Sequence, residues 1–249
     1  MCQVCGCAIT SPGEPVVLEI LQDLLAANDR TAAHNRAHFD EHGVLVINLM
    51  SSPGAGKTAL LEATIVALRH RYRMAVIEGD LETDNDAVRI RAQGVPAIQI
   101  TTGTACHLDA NLVHQALHEL PLGGIDVLFI ENVGNLVCPA GFDLGQHRNV
   151  TLLSVTEGDD KPAKYPVIFR ASDLVILTKT DLLDVMDDFD PGRAAAALRQ
   201  LGADTPMIHT AARRTPFMGS WVAWLDQQVA RHRAPRYLPM ATLAARVGA

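Results

Sequence analysis

The sequence predicts an α/β fold in which helices cover both faces of a doubly wound, mostly parallel β-sheet. Segments rich in Val, Ile and Leu alternate along the chain with amphipathic helical segments, the pattern of repeated β-α units. Several apolar segments are nearly continuous in these residues, as expected of strands buried on both faces. The 249 residues are 48% hydrophobic, which is enough apolar material for a sizeable core.

Each predicted element follows from a local pattern of apolar residues. Strands are predicted at residues 44–50, 74–78, 97–100, 127–131, 150–155, 174–178 and 207–209. Helices between or after them are predicted at residues 57–70, 84–93, 109–118, 193–201 and 219–232. A first helix at residues 17–40 has Leu18, Leu21, Leu24 and Leu25 at helical spacing. Residues 17–249 are therefore expected to form one domain, preceded by a flexible, cysteine-rich tail of residues 1–16.

Charge and cysteine usage narrow the class of protein. The net charge of -7 argues against nucleic acid or an anionic membrane surface as the main partner. No apolar run reaches the roughly 18–20 residues of a membrane span, and the N-terminus lacks the pattern of a signal peptide. A cytoplasmic protein is expected. Three of the five cysteines lie within the first seven residues, and an odd count favours metal binding or redox chemistry over a disulfide framework.

The strongest local signal is a phosphate-binding loop at residues 51–58 (SSPGAGKT), between a predicted strand and a predicted helix. Its glycines let backbone N–H groups turn towards phosphates, and the helix N-terminus adds its positive dipole. Lys57 is expected to reach the β- and γ-phosphates and Thr58 to bind Mg²⁺. Ser51 stands where the general pattern has Gly. The residues predicted to bind nucleotide here are Pro53, Gly54, Ala55, Gly56, Lys57, Thr58 and Ala59.

Two predicted strands end in acids, which in a parallel sheet places carboxylates near a bound nucleotide. Asp80 and Glu131 are the candidates for holding Mg²⁺, because hard oxygen ligands suit that ion. With Lys57 they are the predicted catalytic residues. Gly134 follows Glu131 at the spacing of a switch whose backbone N–H senses the γ-phosphate. The alternative interpretation is that either acid only caps the following segment.

Residues 178–181 (TKTD) resemble the guanine-binding motif Asn-Lys-x-Asp and follow a predicted strand. Asp181 would accept hydrogen bonds from guanine N1–H and N2–H₂, a donor pair that adenine lacks, and Lys179 would support the base. Thr178 replaces the usual Asn, so one loop-bracing hydrogen bond is expected to be weaker. Thr210 and Ala211 follow the last strand as a guanine-backing loop usually does. Asp181 as a simple helix N-cap is the alternative.

Sulfur donors occur in two places. Cys2, Cys5 and Cys7 form a thiolate cluster that suits Zn²⁺, Cu(I) or Ni²⁺, with the α-amino group as a possible fourth ligand. The residues alone do not decide between a tetrahedral Zn²⁺ site and a square-planar Ni²⁺ site. A cysteine-rich tail that binds no metal is a third interpretation. Further along, Cys106, His107 and Cys138 make an incomplete Ni²⁺ or Zn²⁺ site that a second subunit or water could complete; buried cysteines and a loop histidine are the alternative.

Three further histidines, His34, His38 and His42, recur every four residues of the first helix and could share one face. Such spacing can bind a metal ion. No acid of catalytic pattern accompanies them, so a solvated helix face is the favoured interpretation.

Together these features resemble the HypB family, the GTPases of NiFe-hydrogenase maturation, which belong to the SIMIBI class of P-loop GTPases. The resemblance extends across nearly the whole chain. It is carried by residues 2–7 (CQVCGC), 48–58 (NLMSSPGAGKT), 78–80 (EGD), 104–110 (TACHLDA), 131–139 (ENVGNLVCP) and 156–162 (TEGDDKP). The two cysteine-containing segments are far more specific than the phosphate loop.

The resemblance implies more than the residues alone. It implies GTP/GDP and Mg²⁺ as cofactors, a high-affinity nickel site at Cys2, Cys5 and Cys7, and a second Ni²⁺/Zn²⁺ site at Cys106, His107 and Cys138. It implies that this second site lies at a homodimer interface favoured by GTP. It also implies nickel transfer with a HypA-type metallochaperone towards the precursor of the hydrogenase large subunit. The chain lacks the long His-rich stretch that stores metal in some members of the family.

The function predicted on this basis is a slow, GTP-hydrolysing nickel metallochaperone, since neither an arginine finger nor a catalytic Gln is identifiable. Within the same superfamily, a urease-type nickel GTPase is an alternative that the N-terminal cysteines disfavour. A passive Ni/Zn-binding protein with weak nucleotide binding is disfavoured by the intact residues Gly56, Lys57 and Thr58. A small-molecule P-loop kinase is disfavoured by Asp181, which predicts GTP rather than ATP.

Overall fold

The computed structural model describes residues 14–82, 84–103, 105–202, 204–214 and 218–234. Cys2, Cys5 and Cys7 lie outside the described residues, as do the side chains of Leu18 and Leu21. Within the described ranges, no helix combines the length and the apolar character that crossing a bilayer requires.

The described strands form a single parallel sheet in the order β3-β2-β4-β1-β5-β6-β7. Their bounds are β1 (Leu45–Ser51), β2 (Met74–Asp80), β3 (Ala97–Thr101), β4 (Val127–Glu131), β5 (Arg148–Ser154), β6 (Leu174–Thr178) and β7 (Met207–His209). The central strand β1 lies between β4 and β5, so the chain winds outwards on both sides of it. The predicted fold class is confirmed, and the carboxyl ends of β1, β2 and β4 meet at the edge where such sheets bind ligands.

Helices cover both faces of this sheet. The described helices are α1 (Glu14–His42), α2 (Lys57–Leu68), α3 (Asn85–Ala92), α4 (Ala110–Leu117), α5 (Lys161–Lys164), α6 (Pro166–Arg170), α7 (Pro191–Gln200) and α8 (Gly219–Arg233). On one face, α2, α3 and α8 pack on the central strands around Leu61, Phe129 and Trp221. On the other, α1 and α4 enclose a cluster containing Phe39 and Val113. A third cluster lies between β5, β6 and helices α6 and α7.

Two asparagine side chains of α1, one fully buried and one half-buried, hold this helix beside α4. The Asn35 side chain is fully buried and donates to the carbonyls of Ala110 (2.8 Å) and Leu144 (3.2 Å). The Asn28 side chain accepts from the Ala110 N–H at 2.9 Å. Because unpaired buried polar groups are costly, these bonds define the position of α1 along α4. The first helix is therefore an integral layer of the domain.

Element boundaries differ from the predicted ones by a few residues. Helix α1 begins at Glu14 and ends at His42, because Gly43 adopts the left-handed conformation (φ 66°) that terminates helices. Helix α7 begins two residues earlier than predicted, since Asp190 caps it by accepting from Gly192 N–H. The short helices α5 and α6 were not predicted, because their proline-containing sequences have no helical periodicity.

Candidate functional site

A cavity of about 690 Å³ opens at the carboxyl ends of the central strands. It is lined by Pro53, Gly54, Ala55, Gly56, Lys57, Thr58, Ala59, Leu60, Glu78, Gly79, Asp80, Leu81, Asp86, Arg89, Glu131, Asn132, Val133, Gly134, Thr178, Lys179, Asp181, Leu182, Thr210, Ala212 and Arg213. Almost every residue predicted to bind nucleotide is therefore brought to one place. The exception is Ala211, which is 1% exposed and does not line the cavity, whereas Ala212 does.

The phosphate loop connects β1 to α2. Gly54 and Gly56 have positive φ values of 75° and 100°, a conformation that side-chain-bearing residues rarely adopt. Gly56 is the N-cap of α2, so the free N–H groups of that helix face the cavity. The buried Lys57 ammonium donates to Ser51 Oγ at 3.1 Å. The serine that replaces the usual first glycine thus holds the lysine in position within the loop.

Two buried glutamates face each other across neighbouring strands at this edge. Glu78 on β2 pairs in register with Glu131 on β4, and Glu131 Oε1 accepts from the Thr58 hydroxyl at 3.0 Å. Burial, followed by repulsion from Glu131, raises the pKa of Glu78, and burial raises the pKa of Glu131. Glu78 Oε1 and Glu131 Oε2 are buried oxygens without a hydrogen-bond partner among the described residues.

This oxygen-rich corner has the chemistry of a divalent cation site. Two orphaned carboxylate oxygens beside the Thr58 hydroxyl are the hard ligands that Mg²⁺ prefers, and a cation would remove the cost of leaving them unpaired. Asp80 lines the same cavity and accepts from the Glu82 N–H at 3.0 Å. The residues present therefore fit Mg²⁺. Thr58, Asp80 and Glu131, which the sequence predicts as its ligands, line this cavity, and Glu78 adds a further buried carboxylate beside them.

The candidate base-binding loop is tied to the phosphate loop. Lys179 has a left-handed backbone (φ 57°), and its ammonium donates to the Gly54 carbonyl at 2.8 Å and to Thr156 Oγ1 at 3.3 Å. Asp181 lines the cavity and lies 3.7 Å from the guanidinium of Arg214. Thr210 is buried, and its carbonyl accepts from both the N–H and the hydroxyl of Thr180. The loop is thus held in place with the Asp181 carboxylate facing the cavity.

The segment after β4 touches the phosphate loop and the sulfur donors. A Cβ added at Gly134 would lie 2.8 Å from Pro53 Cα, so only glycine permits this backbone approach. The Asn132 side chain donates to Asn48 Oδ1 at 3.2 Å and accepts from the Leu108 N–H at 3.2 Å. Asn132 therefore connects the end of β4 to β1 and to the loop that carries Cys106.

Cys106, His107 and Cys138 come together although Cys138 is 32 residues from Cys106. The two Sγ atoms are 2.8 Å apart, and Cys106 Sγ is 3.8 Å from His107 Nδ1. Contact with Cys106, followed by burial, raises the pKa of the Cys138 thiol. Burial lowers the pKa of His107, which favours the neutral imidazole that a metal ligand requires.

The His107 ring also stacks on Phe142, with centroids 3.9 Å apart. Phe142 ends the single 3₁₀ turn formed by residues Cys138–Gly141. The stacking orients the imidazole towards the turn that begins with Cys138. Two sulfurs and one nitrogen are three of the four ligands that a tetrahedral or square-planar ion needs.

Three site residues were missed from the sequence alone. The sequence does not single out Glu78 from the segment before Asp80, although its place at the end of a buried strand is a usable signal. Asn132 directly follows Glu131, and nothing in the sequence indicated that its side chain contacts Asn48. Glu157 accepts from the Ser52 hydroxyl at 2.5 Å and leaves its other oxygen buried, a contact across 105 residues that only the fold reveals.

Comparisons with known proteins agree with this geometry. Residues 45–209 match the family model described as CobW/HypB/UreG, nucleotide-binding domain. The chain is 55% identical over 212 residues to the hydrogenase maturation factor HypB of Azotobacter vinelandii, covering 85% of this chain and 70% of that protein.

Solved structures agree as well. HypB from Helicobacter pylori in complex with nickel superposes with a TM-score of 0.79 and is 39% identical, over 82% of this chain and 96% of that one. HypB from Archaeoglobus fulgidus has a TM-score of 0.76 and 35% identity, over 82% of this chain and all of that one. The phosphate loop, the paired cysteines and these matches agree. The chain therefore belongs to the HypB family of hydrogenase maturation factors.

Proposed function

We propose that the chain hydrolyses GTP to GDP and phosphate and uses the nucleotide state to control nickel binding at Cys106, His107 and Cys138 during NiFe-hydrogenase maturation. The observation that carries the proposal is the position of Cys138, four residues after Gly134. The backbone of Gly134 lies against the phosphate loop. A ligand placed there moves when the loop responds to the terminal phosphate.

In the nucleotide half of this proposal, Lys57 binds the β- and γ-phosphates and Asp181 reads guanine, with Lys179 bracing the loop beneath the base. Thr58, Asp80 and Glu131, with Glu78 beside them, would hold Mg²⁺, and the bound cation would supply positive charge next to the phosphates. Lys57, Asp80 and Glu131 carry catalysis. Turnover is slow, because neither an arginine finger nor a catalytic Gln is identifiable in the sequence. Arg89, one of two arginines that line the cavity among the described residues, is already engaged by Glu62 (2.6 Å) and Asp86 (2.8 Å).

Two contacts support the coupling between nucleotide and metal. Asn132 bridges β1 and the Cys106 loop, so a shift at the end of β4 displaces both. A Cβ at Gly79 would lie 2.8 Å from the buried Leu108 side chain, which shows how closely the Cys106 loop packs on β2 between Glu78 and Asp80. The loop that carries Cys106 therefore contacts the strand that carries both acids.

In the metal half, nickel is the cargo, and Zn²⁺ is a competing occupant of the same three ligands. A fourth ligand comes from water or from a second copy of the chain, which makes the site sensitive to a homodimer that GTP favours. Cys2, Cys5 and Cys7 form a separate, tighter nickel site on the tail. Transfer proceeds in the cytoplasm with a HypA-type metallochaperone, towards the hydrogenase large-subunit precursor.

The test measures Ni²⁺ and Zn²⁺ affinity by chelator competition. It uses the full chain with Cys2, Cys5 and Cys7 changed to Ser, so that the tail does not bind metal. Affinity is compared without nucleotide, with GDP–Mg²⁺ and with a non-hydrolysable GTP analogue and Mg²⁺. We expect the three states to differ by about fivefold or more, the range of allosteric coupling. Lys57→Ala should abolish the difference, and with it GTP hydrolysis.

Two variants of the same turn serve as a matched pair. Cys138→Ser removes a ligand and should abolish metal binding at this site. Val137→Ser changes a side chain that is 62% exposed and should leave metal binding intact. Identical metal affinities in all three nucleotide states would contradict the coupling, even if hydrolysis and metal binding each occur.

A further inference from the structure

The last turn of α1 places three potential metal ligands on one face. His38, Glu41 and His42 are spaced i, i+3 and i+4, and one ligand atom of each lies within 4.8 Å of the other two. The two imidazole centroids are 4.6 Å apart. Glu41 and His42 are exposed and His38 is half-buried, so solvent ions have access. The arrangement brings two nitrogens and one carboxylate oxygen close enough together to be candidate ligands of one ion.

A hydrogen bond sets the tautomer of His42 for this role. His42 Nδ1 lies 2.9 Å from the backbone carbonyl oxygen of His38. A carbonyl only accepts, so Nδ1 carries the proton and Nε2 presents its lone pair. This is the outer-shell bond that metal-binding histidines commonly make, with one ring nitrogen donating and the other ligating.

The position at the helix end adds to the attraction. His42 is the last residue of α1, and the negative end of a helix dipole favours cations. Glu41 adds a full negative charge. We infer that His38, Glu41 and His42 form a further binding site for a borderline divalent cation of the Ni²⁺, Zn²⁺ and Cu²⁺ class, separate from both cysteine sites.

Neighbouring histidines extend this surface. The ring centroids of His34 and His114 are 5.1 Å apart, as are those of His114 on α4 and His118, which caps that helix. His34 lies one helical turn before His38 on α1, so these imidazoles lie along the same helix as the proposed site and on its neighbour.

A second histidine group, Asp40, His147 and His232, is also compact enough for a metal, but its hydrogen bonds oppose one. His147 Nδ1 accepts from the Val46 N–H at 2.9 Å, so the neutral ring needs its proton on Nε2, facing Asp40 at 3.2 Å. A metal at Nε2 would leave an imidazolate. The site at His42 has the reverse, favourable arrangement.

The experiment uses the full-length chain with all five cysteines changed to Ser, dialysed to equilibrium against NiCl₂ without nucleotide. We expect one Ni²⁺ retained per chain, lost on adding His42→Gln and kept on adding His70→Gln, an exposed histidine outside the cluster. Equal retention by these two variants, or no retention by the parent, would overturn the site.

A second measurement does not depend on the variant with five Cys→Ser substitutions. In the wild-type chain, with its thiols first blocked by alkylation, added NiCl₂ should broaden the NMR ring signals of His38 and His42 at lower concentration than those of His70. Simultaneous broadening of all three rings would also overturn the inference. Because neither assay contains nucleotide, failure here leaves the proposed nucleotide coupling untouched.

Discussion

The Thr178 hydroxyl donates a hydrogen bond to the carbonyl oxygen of Ala55 at 2.7 Å, joining the candidate base-binding loop to the phosphate loop. The same hydroxyl lies 3.4 Å from the Leu153 carbonyl. Thr178 is 5% exposed and Ala55 1%. The sequence predicted that replacing the usual Asn by Thr would weaken the brace between these loops. The structure shows that the shorter side chain still makes a bracing bond of good length.

Replacing Thr178 by Val keeps the shape of the side chain and removes this bond. The buried Ala55 carbonyl then loses its donor, which costs about 1–3 kcal/mol. We expect GTP and GDP affinity, measured by calorimetry, to fall together, because the loop geometry is common to both. Thr205→Val is the control, since Thr205 donates to the Ser172 carbonyl outside the cavity. Unchanged nucleotide affinity in Thr178→Val would show that Lys179 alone braces the loop.

Asp181 is the residue that we propose reads the base. Its carboxylate lines the cavity and lies within 3.7 Å of Arg214. Asp181→Asn removes an ionised acceptor for guanine N1–H and N2–H₂, and hydrogen bonds to charged groups contribute about 1.5–3 kcal/mol. We expect GTP to bind about ten- to a hundredfold more weakly, by the corresponding free energy, while ATP binding changes little. Asp184→Asn, an exposed residue of the same turn, should leave both unchanged. Equal losses of GTP and ATP would assign Asp181 a structural role.

Gly134 is expected to tolerate no side chain. In Gly134→Ala the new methyl would meet the Pro53 backbone at 2.8 Å, and relieving such overpacking costs about 1–3 kcal/mol. The phosphate loop should shift, so nucleotide affinity should fall more than the melting temperature does. Gly141→Ala lies on the same segment with nothing within 4 Å of the added Cβ. Loss of nucleotide binding in both variants would indicate a general effect on the segment.

Most of the fold followed from the sequence because the signals were local. Buried strands show as apolar runs, and the glycines of the phosphate loop mark a turn that other residues cannot adopt. The same locality explains the boundary errors at α5 and α6, where prolines interrupt any helical period. The strand order was not predicted, because the crossover that inserts β4 between β2 and β1 leaves no local trace.

The candidate site was predicted less completely, for a related reason. Lys57 and Asp181 belong to short motifs, so their roles can be predicted from the residues next to them in the sequence. Glu78 becomes important only when β2 pairs in register with β4 and brings its carboxylate opposite Glu131. Likewise, Cys106 and Cys138 were suggestive as residue types, but their 2.8 Å separation depends on a contact between distant loops.

His147 predicts an acid-sensitive fold. Its side chain is 9% exposed and lies between Asp40 and Arg36 of α1 and His232 of α8. Burial, followed by repulsion from His232, lowers the pKa of His147 to about 4. Protonation would also place a hydrogen on Nδ1, which accepts from the Val46 N–H. The folded state therefore requires the neutral imidazole.

The sign of the pH dependence follows from the two pKa values of His147. Its ordinary pKa is 6.5 and its folded pKa about 4, so between these values the unfolded chain binds a proton that the folded chain does not. The free energy of unfolding should be fully retained above pH 6.5 and fall by up to about 3 kcal/mol towards pH 4. Urea unfolding at several pH values measures this slope. His147→Gln should flatten it and His70→Gln, an exposed control, should not. A wild-type slope in His147→Gln would mean that other groups cause the acid sensitivity.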